Sequence, residues 1–172
     1  MPLELESLLK ASREISWRNF GRKIRFYAPS FIHYQNDYFK SSATAFPSIS
    51  ITGNSCALKC KHCGGRVLST MIPATTPGEL FDVCEKLSKS DCAGCLISGG
   101  CSSNGSIPFG RFLNTIGCIK RELGLKIIVH TGIISDEMAK GLKDAGVDAA
   151  LIDIIGSEDT IKEMYILDIY VV

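Results

Sequence analysis

The alternation of short apolar segments with amphipathic ones from residue 48 onward constrains the fold more than any other feature. Four segments are predicted to be strands: 48–52, 95–98, 126–130 and 149–155. Helices are predicted at 76–89, at 109–122, after Ser135 and after Gly156-Ser157. Apolar strands that alternate with helices are typical of parallel βαβ units buried on both faces. We therefore expect an α/β fold with about four βα units.

Two helix boundaries have clear local signals. Thr76-Pro77-Gly78-Glu79 is a capping box with proline at the first helical position. Gly146 follows a helical pattern of apolar residues and is predicted to end that helix.

The length of the chain limits how much of a barrel it can form. A complete (β/α)8 barrel needs about 250 residues, and the chain has 172. We expect residues 47–172 to be a partial TIM-type barrel, truncated on the C-terminal side, whose last strand exposes an apolar edge. Residues 1–46 are expected to be a lead-in, with an amphipathic helix at 3–20, a strand at 23–27 and an aromatic-rich lid at 29–46.

Composition narrows the function classes. The net charge of +1 gives no sign of the basic surface that nucleic-acid binding needs. No apolar run approaches the roughly 20 residues of a membrane span. The start, Met1-Pro2-Leu3-Glu4, lacks the pattern of a signal peptide. Eight cysteines in such a chain predict a cytoplasmic protein that uses thiols for metal or redox chemistry.

Three of those cysteines form a compact motif directly after the first predicted strand. Cys56, Cys60 and Cys63 have the spacing Cys-x3-Cys-x2-Cys. One loop of this kind can supply three thiolates to a [4Fe–4S] cluster, which usually takes four and would keep one iron open. Zinc is the alternative, but it normally has four ligands, and the adjacent His62 cannot easily reach the same ion. A structural disulfide is disfavoured without a secretory signal.

The motif resembles the signature of the radical S-adenosylmethionine enzymes. His62 stands where that family carries an aromatic residue, before the third cysteine. The resemblance implies that the amino and carboxylate groups of S-adenosylmethionine chelate the open iron. One electron from the cluster would then release a 5′-deoxyadenosyl radical, the cofactor supplying the difficult chemistry.

The ends of the later strands carry further candidate cofactor-binding residues. Ser98-Gly99-Gly100 resembles the start of the family's Gly-Gly-Glu motif, with Cys101 in place of the acid. Two glycines also allow a ligand to approach the backbone closely, although a plain Gly-Gly turn is the simpler interpretation. His130 ends the third strand, either as a ligand residue or as a hydrogen-bonded residue of the mouth. Asp153 is expected to lie in the fourth strand, where an acid among apolar residues is costly to bury without a partner. The resemblance implies that it contacts the cofactor ribose.

The remaining cysteines have two interpretations. Cys92, Cys95 and Cys101 could ligate an auxiliary cluster, but a five-residue strand of roughly 16 Å separates the last two, which favours separate sites. Cys84 and Cys118 fall in predicted helices and are expected to be small buried residues.

A wider resemblance points to one branch of the family, the archaeal and anaerobic-bacterial biotin synthase homologues, some of which are one half of a two-protein lipoyl synthase. It rests on four segments: 26–30 (Phe-Tyr-Ala-Pro-Ser), 97–101, 129–132 and 153–157. It implies hydrogen abstraction and carbon–sulfur bond formation on an octanoyl chain held by an acyl-carrier protein. A reductant such as ferredoxin or flavodoxin and a second radical S-adenosylmethionine subunit would be partners. The alternative is a non-catalytic metal-binding half-barrel that acts with a partner chain.

Overall fold

Five parallel strands form the centre of the structure, a computed structural model that describes residues 2–23, 37, 40, 42 and 44–167. The strands are β1 (Ser48–Ser50), β2 (Ile72–Pro73), β3 (Gly94–Ser98), β4 (Lys126–His130) and β5 (Ala149–Leu151). The helices are α1 (Pro2–Phe20), α2 (Pro77–Ser88), α3 (Leu113–Cys118), α4 (Asp136–Asp144) and α5 (Glu158–Thr160). The class predicted from the sequence, α/β with a parallel sheet, is confirmed.

The strand order is β2-β1-β3-β4-β5, and every neighbouring pair is parallel. Ser50 pairs with Ser98, and Ile97 pairs with Val129. Because parallel strands in register end at one edge of the sheet, the loops that follow β1, β3 and β4 converge there.

Strand β2 was not predicted, so the count of four strands is wrong for the described residues. Ile72 and Pro73 pair with Ile49 and Ser50 at the edge of the sheet. Two residues are too short to show an apolar pattern, and proline argues against a strand in sequence reasoning. Proline is tolerated here because an edge strand need not donate every backbone N–H.

One face of the sheet is packed against helices. Cys95, Ile97, Ile127 and Val129 have no exposed surface and belong to a core that includes Leu80, Cys84, Phe109, Phe112 and Ile116. The alternate residues Leu96, Ser98 and His130 line a cavity on the other side. The expectation of strands buried on both faces is confirmed for β1, all of whose residues are buried, and holds for β3 except at the half-buried Leu96. It is wrong for β4, where burial alternates, and for β5, all of whose residues are exposed.

The predicted helix ends are confirmed where a cap fixes them. The Thr76 hydroxyl accepts from the Glu79 amide at 3.2 Å, and the Glu79 carboxylate accepts from the Thr76 amide at 3.2 Å. Ser135 caps α4 through the Met138 amide, and Gly146 follows that helix with φ 83°. The single helix predicted at 109–122 is instead a 3-10 turn (Gly110–Phe112), α3 and a π-helical turn (Ile119–Leu123).

Two predicted strands end earlier than expected. β1 stops at Ser50 because the chain turns at Gly53, which has φ 59°. β5 stops at Leu151, which pairs with His130, the last residue of β4. Beyond His130 the partner strand turns away at Gly132, with φ 62°. Residues 152–155 therefore have no strand to pair with.

The predicted N-terminal helix is confirmed as α1, and Gly21 follows it with φ 71°. Its apolar side chains at Leu5, Leu8, Leu9 and Ile15 are exposed. The strand expected at 23–27, most of the lid at 29–46 and the segment 26–30 lie outside the described residues. In the part of the chain that is described, no helix is both long and apolar enough to cross a membrane.

Candidate metal and cofactor site

A cavity of about 590 Å³ lies where β1, β3, β4 and β5 end. This volume is within the usual range for small-molecule sites, roughly 300–1,000 Å³. Every residue that the sequence predicted for the site reaches the cavity from the end of a strand or from the loop that follows it. Those that line the cavity are Cys56, Cys60, His62, Cys63, Ser98, Gly99, Gly100, His130 and Asp153.

The cysteine loop turns back on itself after Cys60. The amides of Cys63 and Gly64 both donate to the Cys60 carbonyl, at 3.1 and 2.7 Å. Gly64 and Gly65 then follow with φ of 55° and 78°, values that glycine adopts without a steric cost. The Gly65 amide donates to Cys63 Sγ at 3.4 Å. The glycine pair after the motif thus folds the loop so that its three thiols share the cavity.

The thiols are close enough to influence one another. Burial raises the pKa of Cys60, and the neighbouring Cys63 and Cys56 raise it further. Burial also raises the pKa of Cys101 to about 11, with Cys56, Cys60 and Cys63 adding to the effect. All eight cysteines are free thiols. In the metal-free protein Cys60 and Cys101 therefore hold their protons more strongly than ordinary thiols, and a bound cation would reverse that preference.

The donor set distinguishes between kinds of metal site. Among the described residues, no three His, Cys, Asp or Glu side chains are arranged to hold one metal ion. Thiolates on one tetrahedral zinc would lie about 3.8 Å apart, since each Zn–S bond is about 2.3 Å. An iron–sulfur cluster binds each thiolate at a separate iron and does not need that convergence. The three thiols that line the cavity are soft sulfur donors, of the type that iron–sulfur clusters use.

Gly99 and Gly100 have a different neighbour from the one expected. A Cβ on Gly100 would collide with the Ser55 carbonyl and lie 2.6 Å from Cys56 Cβ. A Cβ on Gly99 would lie 3.0 Å from Thr52 Oγ1. The close approach that the glycines allow is thus made first by the chain's own cysteine loop, while their backbone still lines the cavity.

Two hydrogen bonds hold the Gly-Gly turn and Cys101 against the segment that carries the cysteine loop. The Gly100 amide donates to Thr52 Oγ1 at 2.6 Å, and the Ala57 amide donates to the Cys101 carbonyl at 2.8 Å. Sequence reasoning missed Thr52, because its partner lies 48 positions away. A hydroxyl at the end of one strand beside a Gly-Gly pair at the end of the next was the available signal.

The Ser98 hydroxyl already has a hydrogen-bond partner within the protein. Its hydroxyl donates to the His130 carbonyl at 3.2 Å and ties β3 to β4. The oxygen keeps acceptor capacity toward the cavity.

His130 and Asp153 meet at the mouth. His130 Nε2 lies 3.6 Å from Asp153 Oδ2, and the Asp153 side chain is 53% exposed. The expectation that Asp153 lies in a strand is wrong, because β5 has already ended at Leu151. The carboxylate is consequently open to polar partners from solvent and from the cavity.

A distant segment closes the other side of the cysteine loop. The Lys61 amide donates to the Met164 carbonyl at 2.9 Å, and Cys60 Sγ donates to the Tyr165 carbonyl at 3.4 Å. The rings of His62 and Tyr165 lie 4.9 Å apart between centroids. Burial raises the pKa of Tyr165, with Asp153, Cys60 and Cys63 adding to it. Sequence reasoning did not identify Tyr165.

The other cysteines separate into two environments. Cys84 and Cys95 are fully buried on the helix side of the sheet. The interaction between their thiols lowers the pKa of Cys84 and raises that of Cys95. Cys101 lies on the cavity side. The set Cys92, Cys95 and Cys101 therefore does not share one site, as the length of β3 predicted.

No protein-family model matches the sequence. The chemistry of the site follows from its residues: thiols for soft metals, backbone groups and a carboxylate for polar atoms, and an apolar wall for the rest of a ligand.

Proposed function

We propose that the chain is a radical S-adenosylmethionine enzyme that binds a [4Fe–4S] cluster through Cys56, Cys60 and Cys63. The observation that carries the proposal is the placement of these three thiols at the carboxyl end of β1, in a cavity that the ends of β3 and β4 also line. When bound, the cluster supplies the electron that cleaves S-adenosylmethionine to a 5′-deoxyadenosyl radical.

The sheet supports the partial-barrel form of this proposal. β1, β3, β4 and β5 are parallel, and they lie side by side in the sheet in the order in which they occur along the chain, as in a (β/α) barrel. Helices cover one face, and the cavity lies on the other, at the carboxyl edge where such barrels place their working groups. In such a barrel β2 would be an extra strand, which pairs with β1 at the edge of the sheet.

The cavity residues have distinct roles in the proposal. The backbone carbonyls of Gly99 and Gly100 would accept from the amino group of the cofactor. The Asp153 carboxylate accepts from the ribose hydroxyls, and His130 holds that carboxylate from 3.6 Å away. His62 packs on Tyr165 and fixes the turn between Cys60 and Cys63.

The wall of the cavity supports a biotin or lipoyl synthase type of reaction. Ile133, Leu151, Ile152 and Ile155 present apolar side chains to it. Such a wall suits an acyl chain, whose unactivated carbon would lose a hydrogen atom before a carbon–sulfur bond forms. The substrate would be an octanoyl group on an acyl-carrier protein, with ferredoxin or flavodoxin as the reductant.

One observation favours a second candidate, a non-catalytic metal-binding module that acts with a partner chain. Strand β5 is the edge of the sheet, and Leu151, Ile152 and Ile154 are 47%, 55% and 90% exposed. A partner, such as a second radical S-adenosylmethionine subunit, could cover this edge. The module would bind metal but not S-adenosylmethionine.

Anaerobic reconstitution separates the two candidates. The wild type should take up about four irons per chain and form 5′-deoxyadenosine when reduced with dithionite in the presence of S-adenosylmethionine. Cys60→Ala should lose both properties, whereas Cys118→Ala, which removes a half-buried thiol on α3, should keep them. Iron uptake without cofactor binding by calorimetry would support the module. Zinc in place of iron, or equal cleavage by Cys60→Ala, would exclude the enzyme.

A further inference from the structure

A fourth cysteine lines the cavity that the three proposed ligands share. Cys101 lines the same cavity as Cys56, Cys60 and Cys63, and it packs against the apolar cluster that includes Leu58 and Cys60. The proposed function assigns no role to this thiol, which stands where the resembled motif has an acid.

The backbone of Cys101 is fixed relative to the cysteine loop. Its carbonyl accepts from the Ala57 amide at 2.8 Å, one residue after Cys56. The preceding Gly100 is so close to Cys56 that a Cβ on it would lie 2.6 Å from Cys56 Cβ. The two chain segments therefore hold a constant register, and Cys101 cannot move away from the loop without breaking both contacts.

The side chain of Cys101 points to the cavity side of the sheet edge. A Cβ built on Gly132, just after β4, would lie 3.3 Å from Cys101 Sγ. The thiol is half-buried, so it is neither sealed in the core nor free in solvent. It lies between the cysteine loop and the turn after β4.

We propose that Cys101 is a reversible fourth ligand, which binds the iron left open by the other three cysteines until S-adenosylmethionine displaces it. The proposal rests on the proposed function. On binding, the thiol releases its proton to solvent and forms an iron–sulfur bond. On displacement, that bond breaks, the cofactor's ammonium group gives up a proton so that its amino and carboxylate groups can take the position, and the thiolate takes up that proton. No electron is transferred in either direction.

The consequence is protection of the resting cluster. A cluster held by three thiolates has one iron without a protein ligand, and that iron is the first to be lost on oxidation. With Cys101 bound, every iron has a protein thiolate, as in four-cysteine clusters. The iron would then lose its fourth thiolate only when S-adenosylmethionine is bound.

Controlled oxidation tests the proposal without measuring activity. Reconstituted wild type, Cys101→Ala, Cys101→Ser and Cys118→Ala are treated with ferricyanide under anaerobic conditions and followed by iron analysis and the EPR signal of the [3Fe–4S] form. Without S-adenosylmethionine, Cys101→Ala should lose its fourth iron about tenfold faster than wild type and Cys118→Ala. Cys101→Ser serves if the alanine variant folds poorly.

A second measurement tests the displacement. Iodoacetamide should label Cys101 slowly in the cluster-loaded protein and faster after S-adenosylmethionine is added, as read by peptide mass spectrometry. Equal iron loss in wild type and both Cys101 variants, with the cluster otherwise intact, would overturn the ligand role and leave the proposed function standing. Failure of the wild type to bind any cluster would overturn both.

Discussion

The amide of Gly100 and the hydroxyl of Thr52 lie 2.6 Å apart and join the end of β3 to the end of β1. This hydrogen bond crosses the point where the cysteine loop leaves the sheet. It satisfies a buried backbone N–H and at the same time sets the distance between the Gly-Gly turn and Cys56.

Thr52→Val should therefore weaken both the fold and the site. The substitution keeps the shape but removes the acceptor, so the free energy of unfolding should fall by about 1–3 kcal/mol. Urea denaturation followed by circular dichroism measures this change, and iron uptake on reconstitution should fall with it. Thr52→Ser keeps the hydroxyl and should retain iron uptake. A valine variant as stable as wild type would mean that water replaces the hydroxyl.

Gly100→Ala should disrupt the cysteine loop more strongly. The new methyl group would collide with the Ser55 carbonyl and with Cys56, so the loop must shift, at a cost of about 1–3 kcal/mol for overpacking. Gly78→Ala is the matched control, because no atom lies within 4 Å of its added Cβ, and alanine there should raise stability by up to about 1 kcal/mol. Normal iron uptake by Gly100→Ala would contradict the contact.

Asp148→Asn should remove part of the acid sensitivity of the fold. Burial alone would raise the pKa of Asp148, but hydrogen bonds from Lys120 at 2.7 Å and from the Ile127 amide at 2.7 Å lower it. A lowered pKa in the folded state gives stability that is present above the unfolded pKa, about 3.9, and is lost as the pH falls toward the folded value.

The size of that effect is limited by solvent, since the Asp148 side chain is 38% exposed. We expect a loss of about 1 kcal/mol at pH 7, after allowing for screening. Melting temperatures from pH 7 to pH 3 should converge for wild type and variant as the pH falls. Asp82→Asn, on the exposed face of α2, should follow the wild-type curve at every pH.

Alkylation of Cys101 in the metal-free protein should be slow and strongly dependent on pH. Its pKa is raised from 9.0 to about 11, mainly by burial, and only the thiolate reacts. At pH 8 the thiolate fraction should be roughly a hundredfold below that of an ordinary thiol, and it should rise about tenfold per pH unit until the pKa is reached. Iodoacetamide kinetics read by peptide mass spectrometry provide the test. A rate that levels off near pH 9 would contradict the burial of this thiol.

Tyr165→Ala should loosen the closure of the cysteine loop, while Tyr165→Phe should not. The ring of Tyr165 packs on His62, and the neighbouring Met164 carbonyl accepts from the Lys61 amide. Hydrogen exchange at the Lys61 and Gly64 amides should accelerate in the alanine variant, by about tenfold for each 1.4 kcal/mol by which local opening becomes easier. Phenylalanine keeps the ring and should preserve protection. Unchanged exchange in the alanine variant would show that the backbone contacts suffice.

The parts of the fold that the sequence predicted are those with local causes. The Thr76 capping box, the Ser135 cap and strand β4 from Lys126 to His130 each depend on neighbouring residues or on a strong apolar run. The convergence of the cysteine loop with Gly99 and Gly100 followed from one rule, that parallel strands end at a common edge.

The parts that were missed depend on partners far along the chain. The length of β5 is set by the point at which the chain turns after β4, at Gly132. That point cannot be predicted from residues 149–155 alone. Asp153 is exposed because β5 ends before it. The glycine pair was expected to face a ligand, yet its first neighbour is the cysteine loop about 45 positions earlier. Thr52 and Tyr165 act only through such pairings.

The contact between Cys60 and Tyr165 spans 105 positions, and it orders the events of biosynthesis. On the ribosome, the first strand and its thiols emerge long before the segment that seals them. A nascent chain at that stage presents bare, unclamped sulfurs, and non-local contacts of this kind form late in folding. The proposed cluster would therefore be inserted only after the segment around Tyr165 has been synthesised.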